Sequence, residues 1–482
     1  VESFIGRAAE LRLLGKRLER VARTGQGVAV AIRGRRQVGK SRLVQEFCDR
    51  AGAPYVFYAA TKGASPVEGV AAFLAEVRES TLPADRESIP AGPVADWADA
   101  FRVLSAVLPD RPSIVVLDEL PWLAEQDPVF DGALQTAWDR LLSSRPVLLL
   151  LLGSDLHMME RLTAYERPFH GRADNLVLGP LNPAETGAAL DLPAADVLDA
   201  HLVTGGLPGI IRAWPPGTPP LDFMEAECAD PASPLFGVPE SALLAEFPAP
   251  DQARRVLEAV GSGERTHATI AAAAGGREGA LPSGVLSPLL RRLTQDKRVL
   301  AVDSPLSTRP GRPALYRVAD SNLRLYLAAL RGAQEQTRRG RPEAAFRLIR
   351  RRWTAWRGRA VEPLVREALE TAALAGDLPW PGVEAVGGWW NRRFDPEIDL
   401  IGADRAPVAR ALFFAGSVKW LGTPFDQHDL AALRRGAAEV PGLDPGTTEP
   451  VVVSLSGLHT AVDRAAVRLL WGPQDILAAW AD

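Results

Sequence analysis

Two cysteines, Cys48 and Cys228, are all that a chain of 482 residues contains. That scarcity excludes a disulfide framework and a cysteine zinc site, and it fits a reducing compartment, so a cytoplasmic location is expected. Long hydrophobic runs are missing as well: a stretch such as Val147 to Leu152 is far short of the roughly 20 apolar residues that cross a bilayer. The first residues carry no apolar signal-peptide core, and no membrane partner is expected. Net charge is small, 55 basic against 59 acidic side chains giving -4, so nucleic acid would have to be met by a local basic patch. Lysine is scarce, confined to Lys16, Lys40, Lys62, Lys297 and Lys419, which gives the position of each one weight. No internal repeat and no low-complexity tract is present, since the 42 glycines and 40 prolines are spread along the chain. What remains is 47% apolar and 24% charged, the balance of a globular chain, long enough for about three domains.

Residues 1–180 alternate short apolar runs with helical stretches, the pattern of a mostly parallel sheet covered by helices on both faces. The expected strands are Val28–Ile32, Tyr55–Ala60, Ile114–Leu117, Val147–Leu152 and Leu176–Leu178. Residues 181–248 read as a helical lid, with a connector marked by Pro215, Pro216, Pro219, Pro220, Pro231 and Pro234. Residues 249–330 read as three helices (Ala253–Val260, Thr266–Ala274, Ser283–Gln295) and a hairpin (Val299–Val302, Ala314–Val318), the order of a winged helix-turn-helix. Residues 331–482 open with an arginine-heavy helical stretch and return to α/β, with strands at Gly388–Trp390, Ile398–Ile401, Leu412–Lys419 and Val451–Leu455.

Gly34-Arg35-Arg36-Gln37-Val38-Gly39-Lys40-Ser41 fits G-x-x-x-x-G-K-[ST] between a strand and an apolar-periodic helix, and Arg42 next to it is counted with these nucleotide-binding residues. The glycines let backbone N–H groups curl around phosphate oxygens at a helix N-terminus. Lys40 is placed to reach the β- and γ-phosphates of ATP, and the Ser41 hydroxyl to ligate magnesium. The strand Ile114–Leu117 runs into Asp118 and Glu119: Asp118 is assigned to the metal and Glu119 to the general base. Ser154 and Asp155 follow the next buried strand, where a side chain senses the γ-phosphate. Arg172, before the fifth strand, is either a finger acting on a neighbouring subunit of a homo-oligomer or a plain surface ion pair.

These residues resemble an AAA+-type P-loop ATPase, of the archaeal group that borders the STAND signalling ATPases. The resemblance is carried by Phe4-Ile5-Gly6-Arg7, the phosphate loop, Asp118-Glu119-Leu120-Pro121-Trp122-Leu123, Leu152-Gly153-Ser154, Gly171-Arg172 and Gly205-Gly206-Leu207-Pro208. It implies that Phe4, Ile5, Gly6 and Arg7 line the adenine pocket.

For the C-terminal half two partner classes are open. The expected third helix of the winged module offers Arg291 and Arg292, with Lys297 and Arg298 just beyond, to DNA, but its leucines suit protein packing equally. Between Arg338 and Arg359 nine arginines face the single acid Glu343, with Trp353 and Trp356 interleaved. That composition suits DNA or RNA, or else a solvated helix face. The last α/β unit resembles the PD-(D/E)XK, restriction-endonuclease-like superfamily, which implies a metal-holding Asp399 and a catalytic Lys419 behind a helix bearing Glu362; Glu397, on the strand face of Asp399, and Glu362 are the acids that could partly complete the site. Ser417 stands where that pattern has an acid, and losing one carboxylate weakens a magnesium site, so slow or absent cleavage is expected. The whole reads as an ATP- and Mg2+-dependent ATPase acting on nucleic acid. The alternative is a nucleotide-dependent signalling switch whose C-terminal domains hold a protein partner.

Overall fold

The structure, a computed structural model, describes residues 4–83, 85–90, 92–154, 158–160, 169–247, 251–311, 313–444 and 446–481. The chain divides into two compact units, Val1–Pro180 and Leu181–Asp482. Among the described residues no helix is long and apolar enough to cross a membrane.

The first unit holds strands β1 (Val28–Arg33), β2 (Tyr55–Ala59), β3 (Ser113–Asp118), β4 (Val147–Gly153) and β5 (Ala173–Val177). They form one parallel sheet in the order β2-β3-β4-β1-β5. Strands β3 and β4 are buried along their whole length, as expected for continuous apolar runs covered on both faces. Its helices are α1 (Ala8–Thr24), α2 (Lys40–Ala51), α3 (Pro66–Glu79), α4 (Trp97–Val107), α5 (Leu120–Gln126) and α6 (Phe130–Ala137). Trp97 anchors one covering layer, edge-on to Phe130 at 5.1 Å and tilted against Phe73 at 5.6 Å; such ring pairs add about 0.5–1.5 kcal/mol each beyond the area they bury. The register sets Arg33 beside Gly153 and Leu117 beside Leu151. The phosphate loop, Glu119 and Ser154 therefore leave the sheet along one rim, the carboxyl-end crevice where open α/β sheets take ligands. This unit is a P-loop NTPase fold.

The second unit begins with five helices, α7 (Pro183–Leu190), α8 (Ala194–Thr204), α9 (Pro208–Ala213), α10 (Pro220–Glu227) and α11 (Pro234–Glu246). The expected connector is in fact folded. Pro220 and Pro234 open helices, where a missing N–H leaves no bond unmade, and Trp214 stacks on Phe223 at 3.9 Å. Next come α12 (Gln252–Gly261), α13 (His267–Gly275), α14 (Ser283–Arg291) and the antiparallel pair β6 (Leu300–Asp303) and β7 (Leu315–Val318). The segment joining β6 to β7 does not stand free. Leu306 N–H donates to the Gly388 carbonyl at 2.9 Å and Thr308 N–H to that of Pro441 at 3.1 Å, while Ser307 accepts from Ala409 N–H at 3.0 Å. The Leu306 side chain is part of the C-terminal core.

Short helices α15 (Ser321–Leu325) and α16 (Arg331–Arg338) lead into α17, which runs 34 residues from Pro342 to Ala375. Strands β8 (Ala385–Trp390), β9 (Glu397–Ala403), β10 (Leu412–Lys419), β11 (Glu449–Ser454) and β12 (Leu469–Trp471) form a second sheet in the order β12-β11-β10-β9-β8. Its β8-β9-β10 half is antiparallel and its β10-β11-β12 half parallel. Helix α18 (Gln427–Ala437) links β10 to β11, starting from an Asp426/Asp429 capping box. Strand β12 and a final helix α19 (Pro473–Ala478) had no counterpart in the sequence reading. A buried carboxylate joins three parts of this unit: Asp199 of α8 accepts from Arg357 of α17 at 2.8 Å and from the Trp420 indole at 3.2 Å.

Candidate functional site

The phosphate loop is shaped by positions that only glycine fills. Gly39 sits at φ 91° as the N-cap of α2, and a Cβ on Gly34 would lie 2.3 Å from the Leu178 carbonyl. No side chain caps the N-terminus of α2, so its first N–H groups and positive dipole end are open to an anion. Arg36 and Gln37 are exposed at the loop tip, while Val38 is buried beneath it. Three non-glycine residues with left-handed backbones, Arg7 (φ 66°), Gln37 (φ 67°) and Glu119 (φ 53°), belong to this region. Strain of that kind, about 1–3 kcal/mol per residue, persists where the surrounding structure enforces it.

Lys40 is buried and donates to the carbonyls of Gly34 at 2.8 Å and Arg35 at 3.0 Å. Burial lowers its ammonium to about 8, against the pull of the Glu119 and Asp118 carboxylates. Ser41 Oγ donates to Asp118 Oδ2 at 2.5 Å, and the other Asp118 oxygen accepts from the Glu119 N–H at 2.8 Å. Glu119 accepts through both carboxylate oxygens from Ser154 Oγ, at 3.0 and 2.8 Å. The residues assigned to phosphate, metal and base are thus brought together. The hydroxyl and carboxylate oxygens of Ser41 and Asp118 are the hard donors that magnesium takes.

Arg7 and Arg172 are both engaged within the chain. Arg7 is buried, and its guanidinium donates to the Val38 carbonyl at 3.0 Å and the Gly179 carbonyl at 2.6 Å, bracing the phosphate loop. The Phe4 ring beside it is flanked by the guanidinium groups of Arg42 and Arg50, at 5.9 and 5.6 Å. Arg172 forms a two-pronged ion pair with Asp139 of its own chain at 2.7 and 2.8 Å, which holds the Asp139 carboxyl below its ordinary range. Asp155 lies outside the described residues.

In the C-terminal unit, Asp399 Oδ2 accepts from Ser417 Oγ at 3.0 Å and from the Val418 N–H at 2.8 Å. Arg366, one turn beyond Glu362, donates to the Asp399 carbonyl at 2.9 Å and lies 3.5 Å from the Glu362 carboxylate. A Cβ at Gly388 would approach the same guanidinium to 2.7 Å. Burial, reinforced by the Asp399 charge, raises the Glu362 carboxyl to about 7, and burial raises Asp399 as well. Glu397 is turned to Arg265 at 3.0 Å, and Lys419 is paired with Asp429. Among the described residues no three His, Cys, Asp or Glu side chains gather as a metal centre. Arg366 thus bonds the Asp399 backbone carbonyl and lies beside Glu362, the Glu397 charge bears on both acids although its ion-pair partner is Arg265, and Lys419 is paired with Asp429. Arg366 was missed, although its i,i+4 spacing from Glu362 is the signal of a helix ion pair. Asp429 was missed too, although Asp426 and Asp429 have capping-box spacing.

The arginine stretch also needs correction. Trp353 and Trp356 are not surface rings: they are 5% and 8% exposed and stack on each other at 5.6 Å. Arg357 faces inward to Asp199, Arg338 reaches Glu240, and Arg339, Arg341, Arg347, Arg350, Arg351, Arg352 and Arg359 are exposed.

Residues 3–150 match the family model described as an AAA ATPase domain. Residues 326–428 match a second family, DUF234, described as "Archaea bacterial proteins of unknown function", which spans α17 and strands β8 to β10. Over 425 residues the chain is 23% identical to the uncharacterized protein MJECL04 of Methanocaldococcus jannaschii, covering 86% of this chain and 87% of that protein. Among solved structures, the Walker-type ATPase PABY2304 of Pyrococcus abyssi aligns with a TM-score of 0.47 and 19% identity, over 68% of this chain and 96% of that one. The ORC2 protein of Aeropyrum pernix, solved as ADPNP–ADP complexes, aligns at 0.45 and 13%, over 71% and 97%.

Proposed function

We propose that the chain binds and hydrolyses ATP in its AAA ATPase domain and acts on nucleic acid through its second unit. The observation that carries the first part is the Ser41–Asp118 pair at 2.5 Å, set at the open N-terminus of α2 beside a lysine hydrogen-bonded to two backbone carbonyls. Magnesium held by Ser41 and Asp118 would supply neutralising charge to the phosphates. Lys40 exchanges the Gly34 and Arg35 carbonyls for phosphate oxygens, a swap that costs little because both partners are acceptors. Glu119 takes the proton of the attacking water, and Ser154 orients that carboxylate until it does. Lys40→Ala and Glu119→Gln should each lower ATP turnover by at least about a hundredfold, and only Lys40→Ala should also abolish nucleotide binding in a filter assay. Near-wild-type turnover in either variant would overturn the assignment.

The proposed organisation is an ATPase core at 1–180, a lid at 181–248, a winged-helix module at 249–330 and a nuclease-like domain at 331–482. Within the second unit the arginine face of α17 is the better nucleic-acid element, because the segment between β6 and β7 is taken up by the unit's own second sheet. Cleavage is not part of this reading: Ser417 stands in place of an acid, Arg366 donates to the Asp399 carbonyl beside Glu362, and Lys419 is paired with Asp429. The same internal docking favours a second reading, a nucleotide switch whose partner is a protein. A finger role for Arg172 requires release from Asp139, and turnover per subunit should then rise with protein concentration.

A further inference from the structure

We infer that the exposed arginine face of α17, with the turn before it, binds the phosphate backbone of duplex DNA without stacking on or reading its bases. The inference deepens the proposed action on nucleic acid and rests on that reading. Arg339, Arg341, Arg347, Arg350 and Arg351 are all exposed, and among the described residues none of their side chains makes a hydrogen bond or ion pair. Arg347, Arg350 and Arg351 stand at i, i+3 and i+4, one face of a single helical turn. Like charges at that spacing destabilise a helix by about 0.2–0.5 kcal/mol per pair, a cost that Glu343, one turn before Arg347, offsets at one end of the face alone. A polyanion recovers it.

The geometry favours a duplex over a single strand. From Arg341 to Arg351 the helix rises roughly 15 Å at about 1.5 Å per residue, a length over which double-stranded DNA presents about nine negative charges. Unstructured strands are held by aromatic platforms as well as cations, each stacked base contributing about 1–3 kcal/mol. Here Trp353 and Trp356 are inside, stacked on one another, and Phe346 is buried too, so no ring of this stretch is offered to a base. Duplex RNA is recognised by its shape and through 2′-hydroxyl as well as phosphate contacts. On this face, among the described residues, Thr354 is the one exposed uncharged hydrogen-bonding side chain between Arg339 and Ala355, which leaves a face built mainly of phosphate-binding charge. The positive face also has a boundary. On the adjoining stripe Leu348 and Arg352 border a hollow of about 530 Å³ that contains Glu258 and Glu335, where Arg331 is already paired at 2.7 Å.

The test uses the full chain and fluorescence anisotropy with a short labelled duplex DNA, its single strand, the matching RNA duplex and polyglutamate. Wild type should prefer duplex DNA, with affinity falling steeply as salt rises. The triple variant Arg347→Ala, Arg350→Ala, Arg351→Ala should bind at least about tenfold more weakly, with a log–log salt slope smaller by about 2.7. Replacing the same three by lysine should restore most of the affinity, since point charges suffice for phosphate, and ATP turnover should be unchanged in both variants. Binding by the alanine variant equal to wild type overturns the proposal, as does a preference for single strand, RNA duplex or polyglutamate. Wild type that binds none of the three nucleic-acid probes would sink the action on nucleic acid itself, whereas binding that the alanine variant keeps would overturn only its placement on α17, so the two failures are distinct.

Discussion

Two sites in this chain are assembled from the same three residue types and come out chemically opposite. In the AAA ATPase domain a serine hydroxyl, Ser41, bonds a strand-end aspartate, Asp118, with Lys40 close by; in the second unit Ser417 bonds Asp399 on neighbouring strands, with Lys419 two residues on. The difference lies in what else each group touches. Lys40 is held by two backbone carbonyls, neutral acceptors that a phosphate replaces without leaving a buried charge unpaired. Lys419 is committed to a carboxylate, Asp429, which also accepts from the Asp426 N–H at 3.0 Å and so cannot follow the lysine away. Both aspartate carboxylates accept from a serine hydroxyl and a backbone N–H, but Asp118 has an open helix end beside it, whereas the Asp399 backbone carbonyl carries the Arg366 guanidinium. A motif residue is available for chemistry only when its other partners can be exchanged, and that is decided outside the motif.

The sharpest way to break this comparison is to undo the second site's internal cation. Without nucleotide, wild type should bind no Mn2+ at Asp399, and Mg2+ or Mn2+ should not produce cleavage of labelled DNA. The pair of substitutions Ser417→Asp and Arg366→Gln adds a carboxylate and removes the resident cation. It should create Mn2+ affinity at least roughly tenfold above background, an effect of the size that groups around metal ligands exert. Asp399-dependent Mn2+ binding or cleavage in the unaltered protein would show that Arg366 yields to a metal, and the contrast would collapse.

That contrast also marks what the sequence could and could not show. The phosphate loop, Asp118 and Glu119 were legible because they are consecutive residues whose spacing is the chemistry, and the buried strands β1 to β4 because continuous apolar runs have few other uses. The pairing of Lys419 with Asp429 was not, since it depends on α18 folding back over β10. The inward turn of Trp353 and Trp356 was likewise hidden: a long helix with arginines and tryptophans mixed along it does not show which face is covered until its neighbours are in place. The prolines after Trp214 misled in the opposite direction. They read as punctuation, yet Pro220 and Pro234 occupy first turns of helices, a position that composition alone does not distinguish from a loop.

The ATPase site should respond to pH. The free protein's Lys40 loses its proton near 8, lowered from 10.5 mainly by burial, while phosphate binding requires the ammonium. Below 8 the charge is already present and affinity should be flat. Above it, binding must first take up a proton, so ATP affinity should fall by up to about tenfold per pH unit. Nucleotide binding measured by calorimetry from pH 7 to 9.5, in buffers of different ionisation enthalpy, would show both the decline and the proton uptake. A flat profile through this range would mean that the loop carbonyls keep Lys40 charged and that its burial has no functional effect.

The smallest effect concerns the second site's unspent acid. Glu362 titrates near 7 in the folded chain against 4.5 as an ordinary carboxyl, because burial and the Asp399 charge oppose its ionised form. Between those values the folded state holds a proton that the unfolded state has released, so stability falls as pH rises through the window, and the penalty is complete above 7. Glu362→Gln removes the ionisation while keeping shape and polarity. At pH 5, where the native carboxyl is already neutral, the variant and wild type should have nearly equal stability in urea. At pH 8 the variant should be more stable by about 1–2 kcal/mol, the shift discounted for partial exposure. A variant less stable than wild type at pH 8 would mean that the Arg366 ion pair outweighs burial. In that case the guanidinium is a true counter-ion for the whole acidic group, and the second site is closed to metals more firmly than the Asp399 contacts alone require.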